Sequence, residues 1–116
     1  MNDQLARLEA ALGYVFTNKR FLTIALTHRS QGEDNNERLE YLGDALIGFI
    51  IAETLYQRYP GASEGELTRL RATLVKGETL ARIARPLQLG NHLILGSGEL
   101  KSGGWRRTSI LSNTLE

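Results

Sequence analysis

The chain has 116 residues, 41% hydrophobic and 23% charged, with a formal net charge of +1 and no cysteine. Such a length fits one small domain with a single core, and the lack of cysteine excludes disulfides, thiolate metal sites and cysteine nucleophiles. The near-neutral balance excludes nucleic-acid binding by bulk charge, so any such affinity must come from local basic patches set among 13 acidic residues.

Taken in chain order, nearly every segment reads helical. Asp3 is placed to cap a first helix in which Leu5, Leu8, Ala11 and Leu12 recur at helical spacing, with Gly13 ending it. Met1 to Gln4 has no basic segment followed by an apolar one, so no signal peptide is expected. Asn18 caps a second helix carrying Phe21, Leu22, Ile24, Ala25 and Leu26. The polar stretch Ser30 to Asn36 is a loop, with Asn35 or Asn36 as the next cap. A third helix runs from about Glu37 to Tyr59 and stops at Pro60-Gly61. Its apolar stretch Ala45 to Ala52 is closed by Glu53 and falls well short of the roughly 20 residues of a membrane span.

Ser63-Glu64-Gly65-Glu66 has the pattern of a capping box and opens a fourth helix with Leu67, Leu70, Leu74 and Val75. Lys76-Gly77 breaks that helix, and Thr79 to Ala84 begins another that Pro86 should end or bend. His92 to Leu95 is too short to build a sheet on. Gly96, Gly98, Gly103 and Gly104 mark a loop expected to be flexible, beside which Trp105 is expected to anchor into the core. Ser109 to Glu116 starts a last helix. The fold class is all-α.

The third helix carries the chemistry. With Glu37 at zero on a wheel of about 100° per residue, Glu40 falls near 300° and Asp44 near 340°, so three carboxylates share one face. Leu39, Leu42, Leu46, Phe49 and Ile50 lie roughly opposite. Past Asp44 the acidic face continues as Gly48 and Ile51, so burial from several sides is expected. Stacked like charges destabilise a helix, and a divalent cation with oxygen ligands would compensate. The alternative is a plain acidic first turn favoured by the helix dipole.

The run Glu37-Arg38-Leu39-Glu40-Tyr41-Leu42-Gly43-Asp44-Ala45 resembles the signature segment of the ribonuclease III family. The likeness extends in order along the chain. Ala25-Leu26-Thr27-His28-Arg29-Ser30 resembles the segment before the signature, and Glu64 to Val75 the helix after it. Leu95 to Gly104 is similar to the loop before the second acidic cluster. The resemblance implies the helical endonuclease-domain fold over residues 1–116, stopping before its last helices and lacking the double-stranded-RNA-binding domain usual in bacterial members. It further implies that Glu40, Asp44 and Glu116 are catalytic and hold Mg²⁺ (Mn²⁺ substituting), with Asn113 standing where the family usually has an aspartate. Glu37 and Glu64 match supporting acids.

The activity so implied is cleavage of double-stranded RNA to 5′-phosphate and 3′-hydroxyl ends, in ribosomal and other RNA processing in the cytoplasm. The implied assembly is a homodimer touching at Tyr41 and Leu42, although Leu42 fits a core position equally well. Arg69, Arg71 and Lys76, and then Lys101, Arg106 and Arg107, are the basic residues expected to meet RNA, each of which could also be a solvated surface charge. His28 is expected to pack and hydrogen-bond beside the signature helix rather than to catalyse. The amide at Asn113 removes one negative charge, which should weaken metal binding and rate. It also admits a competing reading, a member of the fold that has lost catalysis and binds RNA. A chain ending at Glu116 should leave apolar surface uncovered.

Overall fold

The computed structural model describes residues 3–116, the side chain of Asp3 excepted, so the cap expected of Asp3 lies outside the described residues. The helices are α1 Asp3–Leu12, α2 Lys19–Leu26, α3 Glu37–Arg58, α4 Glu64–Val75, α5 Gly77–Ala84, α6 Ser97–Lys101 and α7 Thr108–Leu115, all but α6 where the periodicity places a helix and α5 starting two residues earlier than expected. Two 3₁₀ turns, Leu89–His92 and Gly104–Arg106, complete the described elements.

The local signals act as their chemistry requires. Gly13 takes a left-handed conformation (φ 75°), and its amide and that of Tyr14 both donate to the Glu9 carbonyl, closing α1. The Asn18 side chain accepts from the Arg20 amide at 3.0 Å. Ser63 and Glu66 form the full capping box, with bonds of 3.1 and 2.8 Å. At the start of α3 the two asparagines divide the work. Asn35 accepts from the Glu37 amide at 3.0 Å, while Asn36, buried, donates its side-chain amide to the Ala25 carbonyl at 2.9 Å. One isolated parallel bridge, Thr27 to Ile94, is the extent of β pairing among the described residues.

The core gathers Leu8 of α1, Leu22 and Leu26 of α2, Ala81 and Ala84 of α5, Leu89 of the first 3₁₀ turn and Leu111 of α7, with Leu5, Phe16, Leu93 and Leu115 packed against it. Burying these side chains away from water is the main stabilising term, at roughly 1.5–3 kcal/mol for each fully buried leucine. Glu9 is buried beside this core and accepts from the Phe16 amide at 2.8 Å and the Lys19 ammonium at 2.6 Å, so its charge is matched.

The arm formed by α3 and α4 behaves differently. Of the 22 residues of α3, Leu55 is the one fully buried, and none of α4 is. Tyr41 is 80% exposed and Phe49 63%, with Leu42, Leu46, Ile50, Tyr56, Leu70 and Leu74 also open. Burial of the Ala45–Ala52 stretch from several sides is therefore not what this chain achieves. Apolar periodicity shows which faces need cover; it does not show that the same chain supplies it. The radius of gyration, 15.6 Å, exceeds the about 13 Å expected of a compact chain of this size and reflects the projecting arm.

The glycine-rich segment also differs from expectation. It is not a plain flexible loop but α6 followed by a 3₁₀ turn, braced internally by Arg107 Nη1 to Glu99 Oε2 at 3.2 Å. Trp105 does not anchor by burial in the core: the residue is 42% exposed, with the Arg106 guanidinium 5.7 Å from its ring centroid. Its main-chain oxygen instead abuts Gly90, where any Cβ would overlap it.

Candidate carboxylate site

The start of α3 is pinned to the end of α2 by Asn36, whose amide donates to the Thr27 carbonyl at 2.9 Å and whose carbonyl accepts from Glu40 at 2.7 Å. That anchorage sets the direction in which Glu37, Glu40 and Asp44 leave the helix. Meanwhile α7 packs along α5, and its C-terminal end crosses α3 at Gly43. A Cβ at Gly43 would overlap the main-chain oxygen of Glu116. Glycine inside a helix costs about 1 kcal/mol relative to alanine, and this approach of two backbones is what the glycine permits. It delivers the Glu116 carboxyl to Asp44 and Glu40.

Burial pushes the Glu116 carboxyl up to about 7, and a hydrogen bond given to Asp44 and the charges of Asp44 and Glu40 act in the same direction. The Glu116 carboxyl, at the end of α7, therefore takes up its proton near neutral pH beside two acids of α3. Asp44 is exposed and Glu40 half-buried, so the pair opens to solvent on one side. Beside it lies a polar cleft of about 430 Å³ lined by residues including His28, Arg29, Glu37, Glu40, Glu99, Arg107 and Asn113. On the other side of Glu40, Asn113 and Glu116 is an apolar cavity of about 220 Å³ lined by Leu8, Leu12, Phe16, Leu39 and Leu115.

The raised Glu116 group makes a pH prediction. A carboxyl whose folded value lies above its ordinary 4.5 contributes stability that is present below the ordinary value and lost as pH rises through about 7. In metal-free buffer the melting temperature of the wild type relative to Glu116→Gln should therefore fall between about pH 4.5 and 7. Because the group is partly exposed, the difference should not exceed about 1–2 kcal/mol. Thermal melts of both proteins with a chelator present check this; parallel curves would show that Glu116 does not titrate as the geometry requires.

The other sequence-derived positions fall into three places. Glu37 lines the polar cleft and pairs with Arg29 at 3.8 Å. Asn113, exposed, faces both cavities next to Glu40. Glu64 sits at the far end of the arm. It follows the turn after α3, so along that helix it is roughly 27 Å from Glu40 at about 1.5 Å per residue. The basic residues Arg69, Arg71, Lys76, Lys101, Arg106 and Arg107 are all exposed. Lys76 adjoins Gly77, against which the Ser112 side chain of α7 packs, and Arg107 lines the cleft itself. Tyr41 and Leu42 are open to solvent, so Leu42 is not a core residue within this chain. His28 is half-buried and hydrogen-bonded to Ser30, in keeping with the packing role expected of it. Sequence reading missed Glu99, which reaches the cleft from α6 and holds Arg107. Nothing in its immediate sequence marks it.

Hard oxygen donors of this kind suit a divalent cation. Among the described residues no three acidic or histidine side chains are drawn together as a metal-ligand set. The neighbouring carboxylates of Asp44 and Glu116, with an open cleft beside them, nevertheless fit Mg²⁺, which takes one or two carboxylates and keeps several waters. A cation there would offset both the burial and the neighbouring charges that raise Glu116.

A helical domain in which acids of α3 meet an acid at the end of α7, beside a polar cleft, has the arrangement expected of the family that the signature segment resembles. The comparisons specify the family. A model of the Ribonuclease-III-like family matches residues 18–116. Ribonuclease 3 of Nitrosococcus oceani is 61% identical over all 116 residues, and that of Pseudomonas putida strain GB-1 is also 61% identical. The nuclease domain of ribonuclease III from Campylobacter jejuni superposes with a TM-score of 0.94 at 41% identity, covering 96% of this chain and 78% of that one. That structure is described for flexibility in the region involved in dimer formation. The chain belongs to the ribonuclease III family. It spans about half the length of the curated relatives it matches, 50% and 51% of the first two.

Proposed function

We propose that this chain is the nuclease domain of an enzyme that hydrolyses double-stranded RNA with Mg²⁺, leaving 5′-phosphate and 3′-hydroxyl ends, in the processing of ribosomal and other RNA in the cytoplasm. The observation that carries the reading is the delivery of Glu116 onto Asp44 and Glu40 by the Gly43 crossing. Mg²⁺ or Mn²⁺ held there by Asp44, Glu116, Glu40 and the Asn113 side-chain oxygen would supply an activated water for in-line attack and offset charge on the departing 3′ oxygen. The attacking water forms the new P–O bond, the P–O3′ bond breaks, and the 3′ oxygen takes up a proton. The exposed cations on α4 and around α6 give phosphate contacts suited to the shape of an A-form duplex.

Dimerisation belongs to the same reading. The uncovered apolar face of α3 and α4, with Tyr41 and Leu42 in it, is the surface a second copy would cover. A supporting role for Glu64 requires that second copy, because within one chain it lies far from the cleft. No helix among the described residues is long and apolar enough to cross a membrane.

A second reading is favoured by Asn113. A neutral amide beside Glu40 lowers the charge available to a cation, as in a family member that binds RNA without cutting it. One assay separates the two: long double-stranded RNA incubated with the chain, with and without Mg²⁺, and resolved on a gel. Metal-dependent conversion to short duplexes supports the enzyme. Retarded but intact RNA supports the binding protein and removes the nuclease reading. Asn113→Asp should strengthen Mg²⁺ binding by about tenfold, through the added charge. Titration calorimetry reads this directly, and unchanged affinity would place Asn113 away from the ion.

A further inference from the structure

The cleft has a joint at its rim that the carboxylate chemistry does not use. Residues 25–30 connect to two things at once: the start of the acid-bearing α3, through Asn36, and the segment leading into α6. The second connection begins as main-chain pairing, His28 amide to Ile94 carbonyl and Ile94 amide to Leu26 carbonyl, both 2.9 Å. It then passes to a side chain. The Ser30 hydroxyl accepts from the Gly96 amide at 2.9 Å, across 66 residues of sequence. Gly96 lies so close that a Cβ there would overlap the Ser30 main-chain oxygen.

His28 sets the direction of that hydroxyl. The Ser30 amide can only donate, and it donates to His28 Nδ1 at 3.0 Å. That nitrogen is therefore unprotonated, and the Ser30 hydroxyl, 2.8 Å from it, turns its hydrogen toward the ring. The hydroxyl lone pairs are left for Gly96. Beyond Gly96 the segment is braced as a unit: Leu100 donates to the Gly96 carbonyl at 2.9 Å, and Arg107 binds Glu99 at 3.2 Å. Lys101, Arg106 and Arg107 ride on this unit, and Arg107 lines the cleft.

We propose that Ser30, oriented by His28, is a positioning residue that fixes the basic segment Gly96–Arg107 over the carboxylate cleft, so that its cations meet phosphates of the bound duplex in register with the acids. The inference rests on the reading of the substrate as double-stranded RNA. Loosening the joint should leave the acids in place and cost phosphate contacts.

The test combines the exchange rate of the Gly96 amide with steady-state cleavage of a defined RNA duplex at several salt concentrations. Ser30→Ala should speed Gly96 exchange and raise KM by about tenfold, roughly the loss of one hydrogen bond's worth of ordering. The loss should fall on KM rather than kcat, and the slope of log KM against log salt should shrink by about one phosphate contact. Ser30→Thr, which keeps the hydroxyl, should restore all three readouts. His28→Asn, which offers an oxygen near the place of Nδ1, should behave better than His28→Ala. Faster Gly96 exchange with unchanged KM and salt slope overturns the proposal, as does a loss confined to kcat. If the wild type neither binds nor cuts the duplex while Gly96 remains protected, it is the functional reading that fails, and the positioning role falls with it.

Discussion

Asp44→Asn should reduce Mg²⁺-dependent cleavage by at least about a thousandfold, since it removes a charge that acts where charge develops in the transition state. It should also leave the fold at least as stable as the wild type. Without metal, Asp44 is one of the groups that hold the Glu116 carboxyl up to about 7, so its charge opposes ionisation of its neighbour. Replacing it with an amide lowers the Glu116 value toward its ordinary range. By linkage this recovers stability at neutral pH, by no more than about 1 kcal/mol because Asp44 is exposed. Activity lost together with stability gained is a signature that a general structural defect would not produce. Cleavage assays beside chemical denaturation, both with and without Mg²⁺, read the two effects separately. Retained cleavage would remove Asp44 from the site.

Gly43→Ala should be nearly as damaging, for a steric reason. Alanine raises helix propensity by about 1 kcal/mol, and at a solvent-facing glycine the substitution would stabilise. Here the new methyl group would overlap the Glu116 main-chain oxygen. Relieving an overlap of that kind costs about 1–3 kcal/mol, so the steric term outweighs the propensity gain. The end of α7 must move, and Glu116 moves with it. A displacement on the order of 1 Å at a reacting group costs about a hundredfold in rate. Cleavage should therefore fall by about that factor while helicity is unchanged and stability drops by less than about 2 kcal/mol. Full activity in Gly43→Ala would show that α7 does not press on α3 in the working enzyme.

Both predictions turn on one crossing, and they differ in how visible it was. Asp44 was legible from the sequence: three carboxylates on one helical face, with a motif around them that left few alternatives. Glu116 was legible through the motif alone, because positions 40, 44 and 116 have no periodic relation. Gly43 stood inside the motif without a stated role. A glycine between two helix-forming stretches signals a close approach, but only the fold shows that the approaching atom belongs to Glu116.

The helices and caps were read correctly where the physics is local. The Ser63–Glu66 box and the stops at Gly13 and Pro60 depend on neighbours within four residues, and so did their prediction. Three expectations failed where it is not local. The Ala45–Ala52 stretch was expected to be buried and is largely uncovered; Trp105 was expected in the core and anchors by its main chain; the glycine-rich segment was expected to be flexible and is a braced helical unit. Each depends on atoms distant in sequence.

By itself, the sequence determined the all-α class, most of the helices, the acidic face of α3 and the family, because hydrogen bonding, capping and periodicity act over a few residues and a long motif is hard to match by accident. Only the tertiary structure decided that Glu116 lands on Asp44, that Glu64 lies far from them within one chain, and that Ser30 ties the basic segment to the cleft. Those outcomes depend on how helices cross, and crossing is set by side-chain volumes meeting across the core, which no local pattern encodes.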